Sequence, residues 1–157
     1  MMLTQERVRD LLNYDPETGI FTWRRRQGQC GAGAIAGSND GDGYRRVKVD
    51  RRSYRAARLA WFYVTGSWPP VQIDHADTDS MNDRWSNLRL ATASQNRANT
   101  CRPVTNSSGI KGVSRHRSKW GARIQKRWLG TFDSPEKARA AYAAAAAATY
   151  GEFGRLA

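Results

Sequence analysis

The chain has 157 residues, with 26 Lys+Arg against 14 Asp+Glu, a formal net charge of +12 and a pI of about 10.5. That length suits one ordinary domain or two small ones, and that charge favours a polyanionic partner, nucleic acid first. No run of about 18 apolar residues is present to span a membrane, and Met1-Met2-Leu3-Thr4 leads into a polar helix rather than a signal peptide. Taken in order, Thr4 is placed to cap a helix over Gln5 to Leu12, with Val8, Leu11 and Leu12 on one face. Asp15-Pro16-Glu17-Thr18-Gly19 reads as a turn, and Ile20 to Trp23 as an alternating strand. The glycine-rich stretch 27–43 has no periodicity and predicts a flexible loop. Tyr44 to Val49 predicts a second strand, with Val47 and Val49 on one side and Arg46 and Lys48 on the other. After a turn at Asp50-Arg51-Arg52-Ser53, Ser53 is expected to cap a helix over Tyr54 to Thr65, with Leu59, Trp61, Phe62 and Tyr63 facing the core. Gly66 ends it, and Pro69-Pro70 lead into the next segment.

Residues 71–99 read as strand, loop, strand and short helix. Asp74-His75 closes the first strand, Asn87 lies twelve residues on, and Asn96 nine further. A neutral imidazole beside an Asp, with an Asn returned across a loop, can hold one divalent metal ion and activate one water. Thr92 with Gln95 makes a capping box that starts the helix carrying Asn96.

The residues Ile73-Asp74-His75, Asn87-Leu88-Arg89 and Thr92-Ala93-Ser94-Gln95-Asn96, in that order and spacing, resemble the HNH (ββα-metal) endonucleases of the phage and intron homing type. Tyr14-Asp15-Pro16-Glu17-Thr18-Gly19 and Arg58-Leu59-Ala60-Trp61 are similar to the segment that precedes the motif there, with Ala57 where relatives often have His. The resemblance implies that Asp74 and Asn96 bind one metal ion per chain, Mg²⁺ or Mn²⁺. It implies His75 as general base and Asn87 as the residue that ties the loop across the site. Asn99, one helical turn later, is the rival to Asn96.

Residues 101–108 are polar, contain Pro103, and read as a linker. Beyond them, Lys111 to Arg115, Trp120 to Ile124 and Arg127 to Phe132 predict three short strands. Ser134 and Pro135 then open an alanine-rich helix to about Tyr150, stopped by Gly151. Gly112-Val113, Trp120-Gly121-Ala122-Arg123-Ile124, Trp128-Leu129-Gly130-Thr131-Phe132 and Glu136-Lys137-Ala138-Arg139-Ala140-Ala141-Tyr142 resemble the Apetala-type (ethylene-response-factor) DNA-binding domain, three antiparallel strands on one helix. The turn at Gln125-Lys126 is several residues shorter than that family's, so curtailed pairing of the second and third strands is expected.

Charge follows the same division. Residues 1–100 carry 15 Lys+Arg against 11 Asp+Glu, and residues 101–157 carry 11 against 3. Arg115, Arg117, Arg123 and Arg127, interleaved with Trp120 and Trp128, can fork onto guanine or phosphate. The alternative puts the two indoles in the core, and the sequence weighs those readings evenly. Cys30 and Cys101 form no Cys-x-x-Cys, so no structural zinc is expected and a reduced, cytoplasmic chain is the simplest reading.

The expectation is an α+β protein with an N-terminal nuclease part. Residues 1–70 precede the ββα motif at 71–100, a linker spans 101–108, and a DNA-binding domain occupies 109–157. It would act on double-stranded DNA as a monomer or homodimer, with no small-molecule substrate and no membrane. The alternative is a non-catalytic DNA-binding regulator on a degenerate HNH scaffold.

Overall fold

The computed structural model describes residues 3–100, 106 and 108–156, so the expected linker lies largely outside the described residues. Two compact units emerge, Met1–Thr92 and Ala93–Ala157. In the first, Thr4 caps α1 (Gln5–Leu11), its hydroxyl accepting from Arg7 N at 3.2 Å. Leu12 belongs to β1 (Leu12–Asp15) rather than to the helix. Leu12 and Tyr14 satisfy a strand period as well as Leu11 and Leu12 satisfy a helical one. Pairing with β2 (Ile20–Trp23), Leu12 opposite Trp23, decides between them by using the backbone groups of both strands.

The stretch 27–43 is tied down more than its composition suggests. Ala36 is fully buried and its N–H donates to Phe21 O at 2.7 Å. The short β3 (Ser38–Asn39) pairs with β4 (Arg45–Val49), and Asp40 accepts from Arg46 Nε at 2.7 Å. β4 continues through a two-residue turn into β5 (Arg52–Arg55). Ser53 therefore sits in a strand and caps nothing. α2 (Ala56–Thr65) starts after Arg55 with no side-chain cap, because the ladder with β4 holds residues 52–55 extended. Val8, Leu12, Phe21, Val47, Val49 and Leu59 form the centre of this core, each worth roughly 1.5–3 kcal/mol on burial. β6 (Gln72–His75) and β7 (Leu88–Ala91) then form a separate antiparallel hairpin joined by a long loop that ends in a 3-10 turn, Trp85–Asn87.

The second unit begins earlier than the linker would place it, at α3 (Ala93–Asn99). Two of its described partners follow it in the chain. Lys111 Nζ donates to the carbonyls of Ala98 at 2.5 Å and Thr100 at 2.7 Å, and Gln125 Nε2 donates to Ser94 Oγ at 3.1 Å. The expected ββα motif at 71–100 spans the boundary between the two units, its hairpin in the first and its helix in the second. β8 (Val113–His116), β9 (Lys119–Ile124) and β10 (Arg127–Phe132) form an antiparallel sheet in the order β10-β9-β8. The short Gln125-Lys126 turn does not curtail pairing, which runs from Ile124 opposite Arg127 to Trp120 opposite Phe132. Gln125 takes up a left-handed φ of 51°, and a bulge between Trp128 and Gly130 absorbs the strain in register. α4 (Pro135–Tyr150) is capped by Ser134 Oγ and lays Ala138, Tyr142, Ala145 and Ala146 on the sheet core of Val113, Ala122 and Ile124. No helix among the described residues is long and apolar enough to cross a membrane.

The β4–β5 turn holds both Asp50 (φ 45°) and Arg51 (φ 67°) left-handed, the conformation for which Asp-Gly is the favoured pair. Arg51→Gly keeps the Asp50–Arg7 ion pair and relieves a non-glycine residue of a conformation costing about 1–2 kcal/mol, against glycine's larger entropy loss. We expect a gain of about 0.5–1 kcal/mol in urea unfolding; a loss would contradict this turn.

Candidate active site and nucleic-acid interface

The β6–β7 hairpin carries Asp74 and His75 at the inner end of β6, 3% and 7% exposed. In register, Asp74 faces Arg89 and His75 faces Leu88. Arg89 Nε donates to Asp74 Oδ2 at 2.8 Å, in a pair that is largely buried on both sides. His75 Nε2 meets Asp83 Oδ1 at 3.0 Å. Burial pushes the Asp83 carboxyl above its ordinary value, and the His75 hydrogen bond with the charges of His75 and Arg45 pulls the other way. The Tyr44 ring lies 6.3 Å from the imidazole, centroid to centroid, and carries the Arg55 guanidinium on it at 3.9 Å.

Asn87 organises the loop between the strands. Its Oδ1 accepts from Asp77 N at 3.0 Å, and its Nδ2 donates to Asp77 Oδ1 at 2.9 Å and to Asn82 O at 2.8 Å. Its main-chain carbonyl accepts from Ala76 N at 2.9 Å. Burial pushes the Asp77 carboxyl up, but hydrogen bonds from Asn82, Asp79 N–H and Asn87 outweigh it and hold the group below its ordinary value. The far side of the loop is fixed from the N-terminal hairpins. The Tyr14 hydroxyl donates to Asp83 O at 2.7 Å, and Ser80 Oγ donates to Gly43 O at 2.6 Å. Gly19 packs so closely that a Cβ on it would stand 2.3 Å from the Asp83 carbonyl carbon, at a φ of 74°.

Of the residues singled out from sequence, Asp74, His75 and Asn87 are brought together within the first unit. Asn96 is half-buried and Asn99 buried, both on α3 in the second unit. Among the described residues, no three His, Cys, Asp or Glu side chains gather to hold a metal ion. Arg115, Arg123 and Arg127 are exposed on the strands of the second unit, and Arg117 on the β8–β9 turn. The two indoles part company. Trp120 packs against the core of that unit with Arg115 over its ring at 5.1 Å. Trp128 is 44% exposed on the opposite, open face, lying over Gly121 and edge-on to His116 at 5.4 Å.

Sequence reasoning missed Asp83, Arg89, Tyr14 and Tyr44. Arg89 was within reach: aligning Ile73 with Leu90 across the hairpin sets it opposite Asp74. Asp83 was not, because nothing local separates it from Asp77 and Asp79 in a loop that reads as solvated.

The buried Asp-His strand end, the Asn-pinned loop and the returning second strand all lie inside the segment that an HNH family model matches. The family model described as HNH endonuclease matches residues 54–98. Over 94 residues the chain is 34% identical to Protein 3.8 of Escherichia phage T7, a match covering 57% of this chain and 73% of that protein. The chain belongs to the family of that phage protein and carries an HNH endonuclease domain, for which nucleic acid is the implied partner. No solved structure matches the chain at a significant level.

Asn87→Ala removes three side-chain hydrogen bonds and leaves Asp77 N and Asn82 O without this partner. At about 1 kcal/mol per bond, more for groups left buried and unpaired, we expect a loss on the order of 2–4 kcal/mol in urea unfolding, with faster amide exchange at Asp77. A loss below about 0.5 kcal/mol would mean that the loop is held from elsewhere.

Proposed function

We propose that the chain is a metal-dependent DNA endonuclease, hydrolysing a phosphodiester with His75 as general base, and that its second unit is an Apetala-type module that holds duplex DNA. The observation that carries this is the buried Asp74-His75 pair at a strand end inside the HNH match, framed by the loop that Asn87 pins. Asp74 would offer a carboxylate oxygen and Asn96 an amide oxygen, hard donors that suit Mg²⁺ or Mn²⁺. Asn96 is carried over on the family pattern alone. When bound, such an ion stabilises charge on the phosphate and on the leaving 3′-oxygen.

The chain's own groups do the remainder. His75 takes the proton of the attacking water, which its position at the end of a paired strand holds in place. Arg89 Nε donates to Asp74 Oδ2 and so fixes how that carboxylate is turned. The exposed Arg115, Arg117, Arg123 and Arg127, in the strongly basic C-terminal third, supply backbone affinity. Trp128 supplies an open aromatic face, whereas Trp120 serves the core that supports it.

A second reading, a DNA-binding regulator on a non-catalytic scaffold, draws on the Arg89–Asp74 ion pair, which occupies one oxygen of the main metal-ligand candidate. Supercoiled plasmid separates the two. We expect open circles or linear DNA with Mg²⁺ or Mn²⁺, and a fall of about 10²–10⁴-fold in His75→Ala. Gel-shifted but intact plasmid with every metal would favour the regulator.

The tryptophans give an independent check on the second unit. Trp128→Ala should weaken duplex DNA binding by about 1.5–3 kcal/mol, the worth of burying such a ring, with little change in thermal stability. Trp120→Ala should chiefly lower stability, by roughly 3–5 kcal/mol if its partly buried ring behaves like a core indole. The reverse pattern, measured by fluorescence anisotropy and thermal melting, would reject the open face as the DNA-binding surface.

A further inference from the structure

The buried carboxylate of Asp83 has no part in the catalytic scheme above. It is 2% exposed, its Oδ1 lies 3.0 Å from His75 Nε2, and its Oδ2 is buried with no hydrogen-bond partner. A carboxylate oxygen left unsatisfied in the interior is costly, and native proteins keep few of them. Three other contacts nevertheless hold this residue where it is. Tyr14 OH donates to its main-chain carbonyl, Gly19 leaves room for its backbone and no more, and Asn87 Nδ2 fixes the carbonyl of Asn82 just before it. The scaffold thus spends two hairpins and a turn on positioning one carboxylate against one ring nitrogen.

An imidazole has two nitrogens, and the partner of one decides the proton on the other. An ionised carboxylate accepts only. Facing Nε2, it retains the proton there and makes Nδ1 the basic nitrogen of the neutral ring. It also stabilises the imidazolium that forms when the ring takes a proton, as a buried Asp does for other catalytic histidines.

We propose that Asp83 is a positioning residue for His75: its carboxylate holds the proton on Nε2, so that Nδ1 is the nitrogen that accepts the proton of the attacking water. The carboxylate itself does not touch the DNA. This rests on the nuclease reading for its catalytic consequence, but not for the tautomer.

The chain has two histidines, so ¹⁵N-labelled protein gives two imidazole systems, and His116→Gln assigns them. Long-range ¹H–¹⁵N correlation at neutral pH should find His75 protonated at Nε2 and unprotonated at Nδ1. Asp83→Leu, which removes the acceptor at similar size, should mix the tautomers and lower kcat for plasmid nicking by about 10–100-fold with little change in KM. Asp83→Asn guards against misfolding of the leucine variant. Its amide oxygen can still accept from Nε2, so it should keep the tautomer and recover part of the rate. A wild-type proton on Nδ1, or an Asp83→Leu protein with unchanged tautomer and rate, would overturn the proposal. Absence of cleavage by the wild type with either metal would instead sink the nuclease reading, while the tautomer still decides the pairing.

Discussion

The β6–β7 loop takes polar groups into the interior, and the constraint on everything around it is that those groups must be paired there. Asn87 meets much of that demand with one side chain, accepting from Asp77 N and donating to Asp77 Oδ1 and to Asn82 O. An amide is suited to this because it offers donors and an acceptor in one plane, where a carboxylate could only accept. Once the loop is pinned, Asp83 is held inside, with its carboxylate against His75 Nε2. The N-terminal hairpins then act as a platform. Tyr14 and Gly19 meet the loop's main chain at Asp83, and the Gly43 carbonyl accepts from the Ser80 hydroxyl.

How much of this was legible follows from the range of the forces involved. The strand end at Asp74-His75 and the return at Asn87 were readable because residue type and spacing both mark them. The helix at Ser134-Pro135 was readable because capping is local. Ser53 misled for the same reason: a good capping residue lost to a strand ladder set by a left-handed turn three residues earlier, which Asp50-Arg51 does not advertise. Leu12 was ambiguous by itself and was settled by Trp23, eleven residues away. Asp83 depends on Tyr14 and Gly19, more than sixty residues back in the chain, and no window of sequence contains that information.

In the second unit, economy of side chain does the positioning. Consecutive alanines let α4 lie close on the sheet, so a small core of Val113, Ala122 and Ile124 suffices. The missing side chain of Gly121 has the opposite use on the other face, letting the Trp128 ring settle against the backbone while staying exposed. The same sheet therefore has one face specialised for packing and one left open, and the two tryptophans, eight residues apart, fall on different sides of that division.

The anchorage of α3 bears on how such a chain can be inherited. The helix has seven residues, too few to persist alone in water, and its described hydrogen-bond partners Lys111 and Gln125 come after it. A crossover in the polar stretch near residue 101, the place where composition invites one, would strand the helix without them. Exchange of the C-terminal portion between relatives keeps these bonds where the breakpoint lies ahead of Ala93, or where the replacement restores a lysine and an amide at matching places. Genetic mosaics of this family should therefore show their seams before the last helix of the HNH motif, inside the sequence that the family signature spans.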